Sequence, residues 1–185
     1  MQTRARYTGT AVFMHWLLAL LLLSQIAFGW YLQQIPRGTP DRTVFVNMHK
    51  SFGMVLGVLI LFRLYWRLTH MAPLLPASLA HWERTAARIS HGLLYACMLI
   101  MPLSGYLASN FSKWSVNFFN SVKLPPWGME DQGIYAALNG VHVTTSFVFV
   151  GIIVVHALAA LKHLFQRDGV FSRMWPAASR DDPQQ

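Results

Sequence analysis

The sequence predicts an all-α fold, a bundle of four membrane-spanning helices in a single domain of residues 1–185. Hydrophobic residues make up 54% of the chain and charged residues only 12%, against about 25% charged in an average soluble protein. The apolar residues also fall into four long blocks, and a helix needs about 20 mainly apolar residues to cross a bilayer. A water-soluble domain of this size has no interior large enough to bury that much apolar surface.

The four predicted spans cover residues 9–32, 44–68, 89–111 and 139–164. The uncharged stretch of the first span is far longer than the core of a signal peptide, so we expect it to be a retained helix. The second span contains Lys50, Arg63 and Arg67 near its ends, where long basic side chains reach the lipid headgroups. The third contains Pro102, which predicts a kink.

The basic residues predict the orientation of the bundle. Ten of the fifteen lie beside the N-terminus, the connection between spans two and three, and the C-terminus: Arg4, Arg6, Arg63, Arg67, Arg84, Arg88, Lys162, Arg167, Arg173 and Arg180. The other five lie at the opposite, outer side: Arg37, Arg42, Lys50, Lys113 and Lys123. We therefore expect both termini in the cytoplasm.

Charge and cysteine content exclude several functional classes. The net charge of +8 would suggest a nucleic-acid partner in a soluble protein, but here the basic residues flank apolar blocks. Anionic lipid headgroups explain that pattern, so we expect membrane lipid and no nucleic acid as partner. The single cysteine, Cys97, excludes an internal disulfide, a four-cysteine iron–sulfur cluster and a c-type haem motif.

Histidines inside the spans are the strongest functional signal, because ligand-type residues in lipid are costly and usually functional. His142 and His156 are 14 residues apart on the fourth span. That spacing is about 21 Å along a helix, close to a whole number of turns. One helix face therefore presents two imidazoles at different membrane depths, a spacing suited to two stacked haems. For any single histidine, a hydrogen-bonded core residue is the alternative.

Flanking charges suggest the second axial ligand of each haem. His15 and His156 lie at similar depths on the cytoplasmic side, and His49 and His142 both lie at the outer surface. Four histidines are thus the predicted iron ligands, and His91, only three residues past Arg88, looks too shallow to be one. A bis-imidazole pair in an apolar bundle suits haem iron better than zinc or copper.

Further residues have weaker assignments. Lys50, Arg63, Arg67 and Arg88 are placed at the headgroup levels where haem propionates emerge, and contact with lipid phosphate is the alternative for each. Gly53 and Gly57 follow His49 and leave room either for a flat macrocycle or for close helix packing. A haem-free transporter is disfavoured, because the spans contain no acidic residue and no broken-helix repeat.

These residues resemble the bacterial cytochrome b561 family, which is related to the cytochrome b subunits of nickel–iron hydrogenases. The stretches that carry the resemblance cover nearly the whole chain in order: Met14-His15-Trp16-Leu17, His49-Lys50-Ser51-Phe52-Gly53, Arg63-Leu64-Tyr65-Trp66-Arg67, His91-Gly92-Leu93-Leu94-Tyr95 with Pro102 and Gly105, and His156-Ala157-Leu158-Ala159-Ala160-Leu161 with His163. The resemblance implies the same four axial ligands: His15, His49, His142 and His156.

The small members that the chain resembles are di-haem quinone reductases, including a type that oxidises superoxide and reduces ubiquinone. This implies an oxidoreductase of the bacterial inner membrane, with an anionic reductant or a redox protein as donor at the outer face. The alternative is a haem b anchor and electron conduit for a separate dehydrogenase or hydrogenase.

Three residues are candidates for the quinone site. His163 lies two turns after His156 at the cytoplasmic headgroup level, where a titratable histidine can supply the protons that quinone reduction consumes. Lys162 is placed to stabilise the negative charge that develops on a reduced quinone, and His91 is a propionate or quinone-site candidate. An interfacial polar residue without such a role is the alternative for His163.

Overall fold

The computed structural model describes residues 6–74, 76 and 79–176. Its four long helices are apolar enough to cross a membrane: α1 (Gly9–Leu32), α2 (Pro40–Thr69), α3 (His81–Asn110) and α4 (Gln132–Gln166). Two short antiparallel strands, β1 (Val116–Phe118) and β2 (Val122–Leu124), lie between α3 and α4, and a 3₁₀ turn (Phe171–Arg173) follows α4. The predicted four-helix architecture is confirmed, with the small hairpin as an unpredicted addition.

The helix bounds differ from the predicted spans mainly at two N-terminal ends. α1 has the predicted bounds, whereas α3 begins at His81 rather than residue 89 and α4 at Gln132 rather than residue 139. The α3 extension contains His81, Glu83 and Arg84, so hydropathy alone does not detect it. The first turn of α3 is stabilised by Glu83, whose carboxylate accepts a hydrogen bond of 3.0 Å from the Ala80 N–H.

Successive helices run antiparallel, and their inner faces meet in one apolar core. The core consists of residues from all four helices: Met14, Leu18, Ile26, Leu56, Ile60, Cys97, Met98 and Phe149. Large apolar side chains also cover the outside of the bundle, for example Leu20 at 65% exposure, Val58 at 67% and Leu158 at 60%. An apolar exterior around an apolar core is what a lipid environment requires.

The hairpin is fixed to the N-terminal half of α2 by buried polar side chains. Ser51 accepts a hydrogen bond of 2.7 Å from the Phe119 N–H and donates one of 2.7 Å to the Asn47 carbonyl. The Asn47 amide in turn donates to Asn120 over 3.0 Å. The turn needs these contacts, because Phe119 and Asn120 adopt positive φ angles of 46° and 55°. The hairpin therefore covers the end of the bundle next to His49.

The segment after α4 folds back to the N-terminal end of α1. The Trp16 indole N–H donates to the Met174 carbonyl over 2.7 Å, and the Arg6 guanidinium donates to the Ser172 carbonyl over 2.7 Å. The Arg173 guanidinium bonds the Leu74 carbonyl, in the connection between α2 and α3. These bonds join the N-terminal, central and C-terminal segments at one end of the bundle.

Candidate functional site

His49 of α2 and His142 of α4 form a pair at the hairpin end of the bundle, called here the outer pair. Their ring centres are 6.2 Å apart and the ring planes are nearly perpendicular, at 88°. Two imidazoles on opposite sides of one metal ion have ring centres about 6 Å apart, since each metal–nitrogen bond is about 2 Å and each ring centre lies about 1 Å further on. The outer pair thus has the separation of two axial ligands of one iron.

Hydrogen bonding leaves the outer pair suited to ligation. The His142 Nδ1 lies 2.8 Å from the Met101 carbonyl, which only accepts, so Nδ1 carries the proton and Nε2 has a free lone pair. The His49 Nδ1 is buried without a hydrogen-bond partner among the described residues. Native proteins rarely leave a buried polar atom unsatisfied, so His49 Nδ1 is expected to have a partner that the described residues do not supply.

Two glycines allow the helices to approach the outer pair. A Cβ atom on Gly29 would lie 3.0 Å from the His49 ring, and one on Gly105 would lie 3.0 Å from the His142 ring. Both contacts are tighter than a side chain tolerates without displacing the imidazole. Gly53 and Gly57, the glycines singled out in the sequence, instead face Gln25 at 3.5 Å and Pro102 at 3.4 Å. Their surroundings favour the helix-packing interpretation.

The other end of the bundle contains three histidines, called here the inner cluster. The ring centres of His15 on α1 and His156 on α4 are 6.3 Å apart, again the separation expected of two axial ligands. His91 on α3 lies closer still to His156, at 5.5 Å. The structure therefore brings together both predicted pairs and adds His91 to one of them.

The depth predicted for His91 is wrong. That prediction took Arg88 as the membrane boundary, but α3 begins at His81 and continues through Arg88 without interruption. His91 lies ten residues, about 15 Å, into the helix and reaches the level of His156. The assignment of His91 as a propionate or quinone-site residue rather than an iron ligand stays a prediction.

Arginine side chains lie beside the inner cluster. The Arg63 Nη2 is 3.3 Å from the His15 Nδ1, and the Arg63 Nη1 donates to the Ala11 carbonyl over 3.2 Å. Arg67, one turn further along α2, is exposed but close enough to His91 to interact with it electrostatically. These two guanidinium groups make the inner end more positive than the outer end, where Lys50 is the nearest cation to the pair.

The two quinone-site candidates on α4 have different partners. The Lys162 Nζ forms an ion pair of 2.6 Å with Glu83 and lies 5.3 Å from the centre of the Trp82 ring. The His163 Nδ1 lies 2.5 Å from an Asp168 carboxylate oxygen. His163 also lines a cavity of about 230 Å³ together with Leu164, Arg167, Gly169, Phe171 and Ser172. The charge of Lys162 is thus compensated, whereas His163 borders an open space.

Asp168 is held as a carboxylate by its surroundings. Burial acts to raise its pKa, but hydrogen bonds from the Val170 N–H and the His163 ring outweigh it and bring the pKa below the ordinary value. Asp168 is therefore ionised at physiological pH. Sequence reasoning did not identify this residue, although an Asp-Gly pair directly after a helix is a common turn signal.

Comparison of the sequence with known protein families identifies the family of this chain. Residues 6–177 match the family model described as prokaryotic cytochrome b561. The chain belongs to this family.

Two curated relatives from Escherichia coli (strain K12) agree with that assignment. Cytochrome b561 homolog 1 is 28% identical over 178 residues, which cover 92% of this chain and 97% of the relative. Cytochrome b561 homolog 2 is 28% identical over 181 residues, 97% of this chain and 96% of the relative. Membership of the cytochrome b561 family makes this a multi-pass membrane protein that transfers electrons by means of b-type haem.

The residues present fit that cofactor. A haem with two axial imidazoles needs paired histidines on facing helices within an apolar bundle. The outer pair and the inner cluster both supply such histidines, and Gly29 and Gly105 leave space for the rings of the outer pair. Sequence reasoning missed Gly29 and named Gly105 only as part of the family resemblance, because a glycine gives no sign of the ring it faces on another helix.

Proposed function

We propose that this cytochrome b holds two haems, one between His49 and His142 and one between His15 and His156. The single observation that carries this proposal is the equal spacing of the two pairs, with ring centres 6.2 and 6.3 Å apart. His142 and His156 lie 14 residues apart on α4, so the two sites are separated by about 21 Å along the helix. Each bound haem supplies a reversible one-electron iron couple.

The protein, in this proposal, carries electrons across the bacterial inner membrane from a donor at the outer face to ubiquinone at the cytoplasmic face. Both termini are cytoplasmic, because most basic residues lie at the end of the bundle that contains the inner cluster. The hairpin and the outer pair then face the opposite compartment. This orientation gives the outer pair access to a donor and gives the inner cluster access to cytoplasmic protons.

His163 is the proposed proton donor to the quinone, because it is the histidine that borders a cavity at the cytoplasmic end of α4. The cavity of about 230 Å³ is smaller than a typical drug-sized site of about 300–1,000 Å³, so it suits a quinone ring with its tail left in lipid. Asp168 orients His163 by accepting from Nδ1, which leaves Nε2 to face the substrate. Lys162 contributes less in this proposal, since Glu83 already neutralises its charge.

Superoxide is the donor that the charges of the outer end favour. Of the five outer basic residues, Arg42 bonds the carbonyls of Leu32 and Ile35, and Lys113 faces Glu130 at 4.0 Å. Lys50 lies directly after His49 and is the proposed cation that attracts a small anion to this end. Two superoxide anions, one ubiquinone and two protons would give two molecules of dioxygen and one ubiquinol.

A redox protein is the second candidate donor, and one surface favours it. Four large apolar side chains stand out around the hairpin: Trp114 at 72% exposure, Val122 at 56%, Trp127 at 61% and Met129 at 89%. Exposed aromatic and methionine side chains are enriched where proteins dock. In that case the chain acts as an anchor and electron conduit for a separate dehydrogenase or hydrogenase.

Ubiquinone reduction by the purified protein, without any partner, tests the proposal. Superoxide is generated enzymatically, and ubiquinol formation is followed with His142→Ala as the control that lacks an outer ligand. We expect rapid reduction by the wild type and none above background by the control. Equal rates for the two proteins would contradict superoxide as a donor. Haem that is reduced only when a partner subunit is added would favour the conduit.

A further inference from the structure

A long groove runs along the lipid-facing side of α1 towards its N-terminal end. Its volume is about 570 Å³, larger than the cavity beside His163. The α1 residues that line it include Phe13 and Leu20, each 65% exposed, and Trp16 at 40%. From Gly9 to Leu20 the groove follows the helix for about 16 Å, which is half the thickness of a bilayer core of about 30 Å.

The second wall of the groove is the segment that folds back after α4. Trp16 bonds the Met174 carbonyl, and the rings of Trp16 and Trp175 meet at 5.8 Å in an edge-to-face contact. Arg6 bonds the Ser172 carbonyl from the other side. The groove is thus built by side-chain contacts between two ends of the chain.

The two ends of the groove differ in chemistry. The floor along α1 is apolar, whereas Arg6 and Arg173 lie at the end nearest the cytoplasm, with Tyr7 beside them. Each arginine uses one donor group on a backbone carbonyl and keeps others for a ligand. No acidic residue lines the groove among the described residues. The N-terminus of α1 adds positive potential, since its first turn, fully described, has no acidic side chain.

We propose that this groove binds an anionic phospholipid of the cytoplasmic leaflet, with an acyl chain on Phe13 and Leu20 and the phosphate at Arg6 and Arg173. Guanidinium groups bind phosphate oxygens in a bidentate manner, and basic pockets at the cytoplasmic end of helices recognise anionic headgroups. A free phosphate would leave the apolar floor unused. A quinone carries no charge before it is reduced, so it would leave the two guanidinium groups without an anionic partner. This proposal is independent of the quinone site at His163.

Native mass spectrometry of the haem-loaded protein tests the proposal with phosphatidylglycerol and phosphatidylcholine of equal chain length. We expect the wild type to prefer phosphatidylglycerol. The double substitution Arg6→Gln/Arg173→Gln should weaken phosphatidylglycerol binding by roughly tenfold or more, because two basic groups near the membrane surface are lost. Binding of phosphatidylcholine should change little. Equal phosphatidylglycerol binding by the wild type and the double variant would overturn the proposal.

Three further arms distinguish lipid bound in the groove from lipid or anions bound elsewhere on the protein. Arg84→Gln removes an arginine of α3 that does not line the groove and should leave phosphatidylglycerol binding unchanged. The charge-retaining Arg6→Lys/Arg173→Lys protein should bind phosphatidylglycerol less tightly than the wild type but more tightly than the double glutamine variant, and equal loss in the two double variants would overturn recognition by charge. Soluble glycerol phosphate should not displace the lipid, and displacement by it or by ubiquinone would overturn the choice of occupant. Unchanged haem content shows in every case that the variant is folded.

Discussion

The outer pair and the inner cluster have the same ring spacing but are built in different ways. At the outer end, two histidines are confined by Gly29 and Gly105, where a Cβ atom would lie only 3.0 Å from the nearer imidazole ring. At the inner end, three histidines share the space with Arg63, whose guanidinium lies 3.3 Å from His15. Close packing against glycines therefore positions the two rings of the outer pair. The inner cluster is instead surrounded by a positive charge, Arg63, and contains a third imidazole, His91.

This difference predicts different electronic environments for two chemically similar sites. A positive charge beside a haem favours the reduced, less positive iron, so Arg63 acts to raise the potential of the inner site. An electron that enters at the outer end would then be favoured to move inward. The comparison thus links the asymmetry of the bundle to the proposed direction of transfer.

Removal of a ligand is expected to have the largest effect and tests which histidines belong to which site. His142→Ala should lose the outer haem and His156→Ala the inner one, leaving one haem per chain, since each removes an imidazole from a 6.2 or 6.3 Å pair. His91→Ala should retain both haems. A pyridine haemochrome assay with protein quantification measures the ratio. Loss of a haem in His91→Ala with retention in His15→Ala would show that His91, not His15, partners His156.

Replacement of His163 tests whether the inner end carries the quinone chemistry. His163→Phe should lower the rate of ubiquinol formation by about 100-fold, the usual contribution of a positioned general acid. Reduction of the haems by the donor should stay unchanged, because His163 lies two turns beyond His156. His81→Phe, an exposed histidine at the start of α3, is the matched control. A similar loss in both proteins would assign the effect to the membrane surface instead.

A methyl group introduced next to the outer pair, by replacement of Gly105 with alanine, tests whether close packing positions the two rings. Gly105→Ala should destabilise the holoprotein by about 1–3 kcal/mol, the cost typical of overpacking, because the new Cβ meets the His142 ring at 3.0 Å. Gly92→Ala on the same helix has no contact within 4 Å among the described residues and should be neutral or slightly stabilising. Thermal unfolding followed by the haem absorption compares the two. Equal unfolding temperatures would show that the outer site is not confined by Gly105.

Removal of the charge of Lys50 is expected to have the smallest effect and tests steering at the outer end. Lys50→Gln keeps His49 and should retain both haems. Reduction by superoxide should slow by a few-fold, with a weaker salt dependence, since Lys50 is partly exposed and salt screens charges that solvent reaches over about 8–10 Å at physiological ionic strength. Stopped-flow reduction at low and high salt measures both. An unchanged salt dependence with a shifted haem potential would assign Lys50 to a propionate.

The sequence predicted the parts of the fold that lipid determines. The bounds of α1 are those predicted, because its apolar block ends where the helix ends, at Leu32. α3 was predicted too short, since the polar segment His81–Arg88 continues the helix beyond the apolar block. The hairpin was not predicted, because its turn uses Phe119 and Asn120 in the left-handed region instead of glycine. Hydropathy describes the residues in contact with lipid and says little about helix extensions or loops.

The sequence predicted which histidines of the candidate site pair with one another, but it did not predict which other residues contact them. Residue spacing and flanking charge placed His142 and His156 on one face and suggested partners for both, and the structure brings these residues together. Tertiary contacts decided the rest. The proximity of His91 to His156 depends on where α3 begins, and the bond between His163 and Asp168 depends on a chain reversal after α4.

Haem stoichiometry of the wild-type protein is the most direct test of the two-site structure. The purified protein, titrated as its pyridine haemochrome against protein determined by amino-acid analysis, should contain two b-type haems per chain. A potentiometric titration of the same sample should resolve two one-electron steps, with the higher potential lost in His156→Ala and the lower in His142→Ala. One haem per chain, or a single step that neither substitution removes selectively, would contradict the assignment of both histidine pairs as haem ligands.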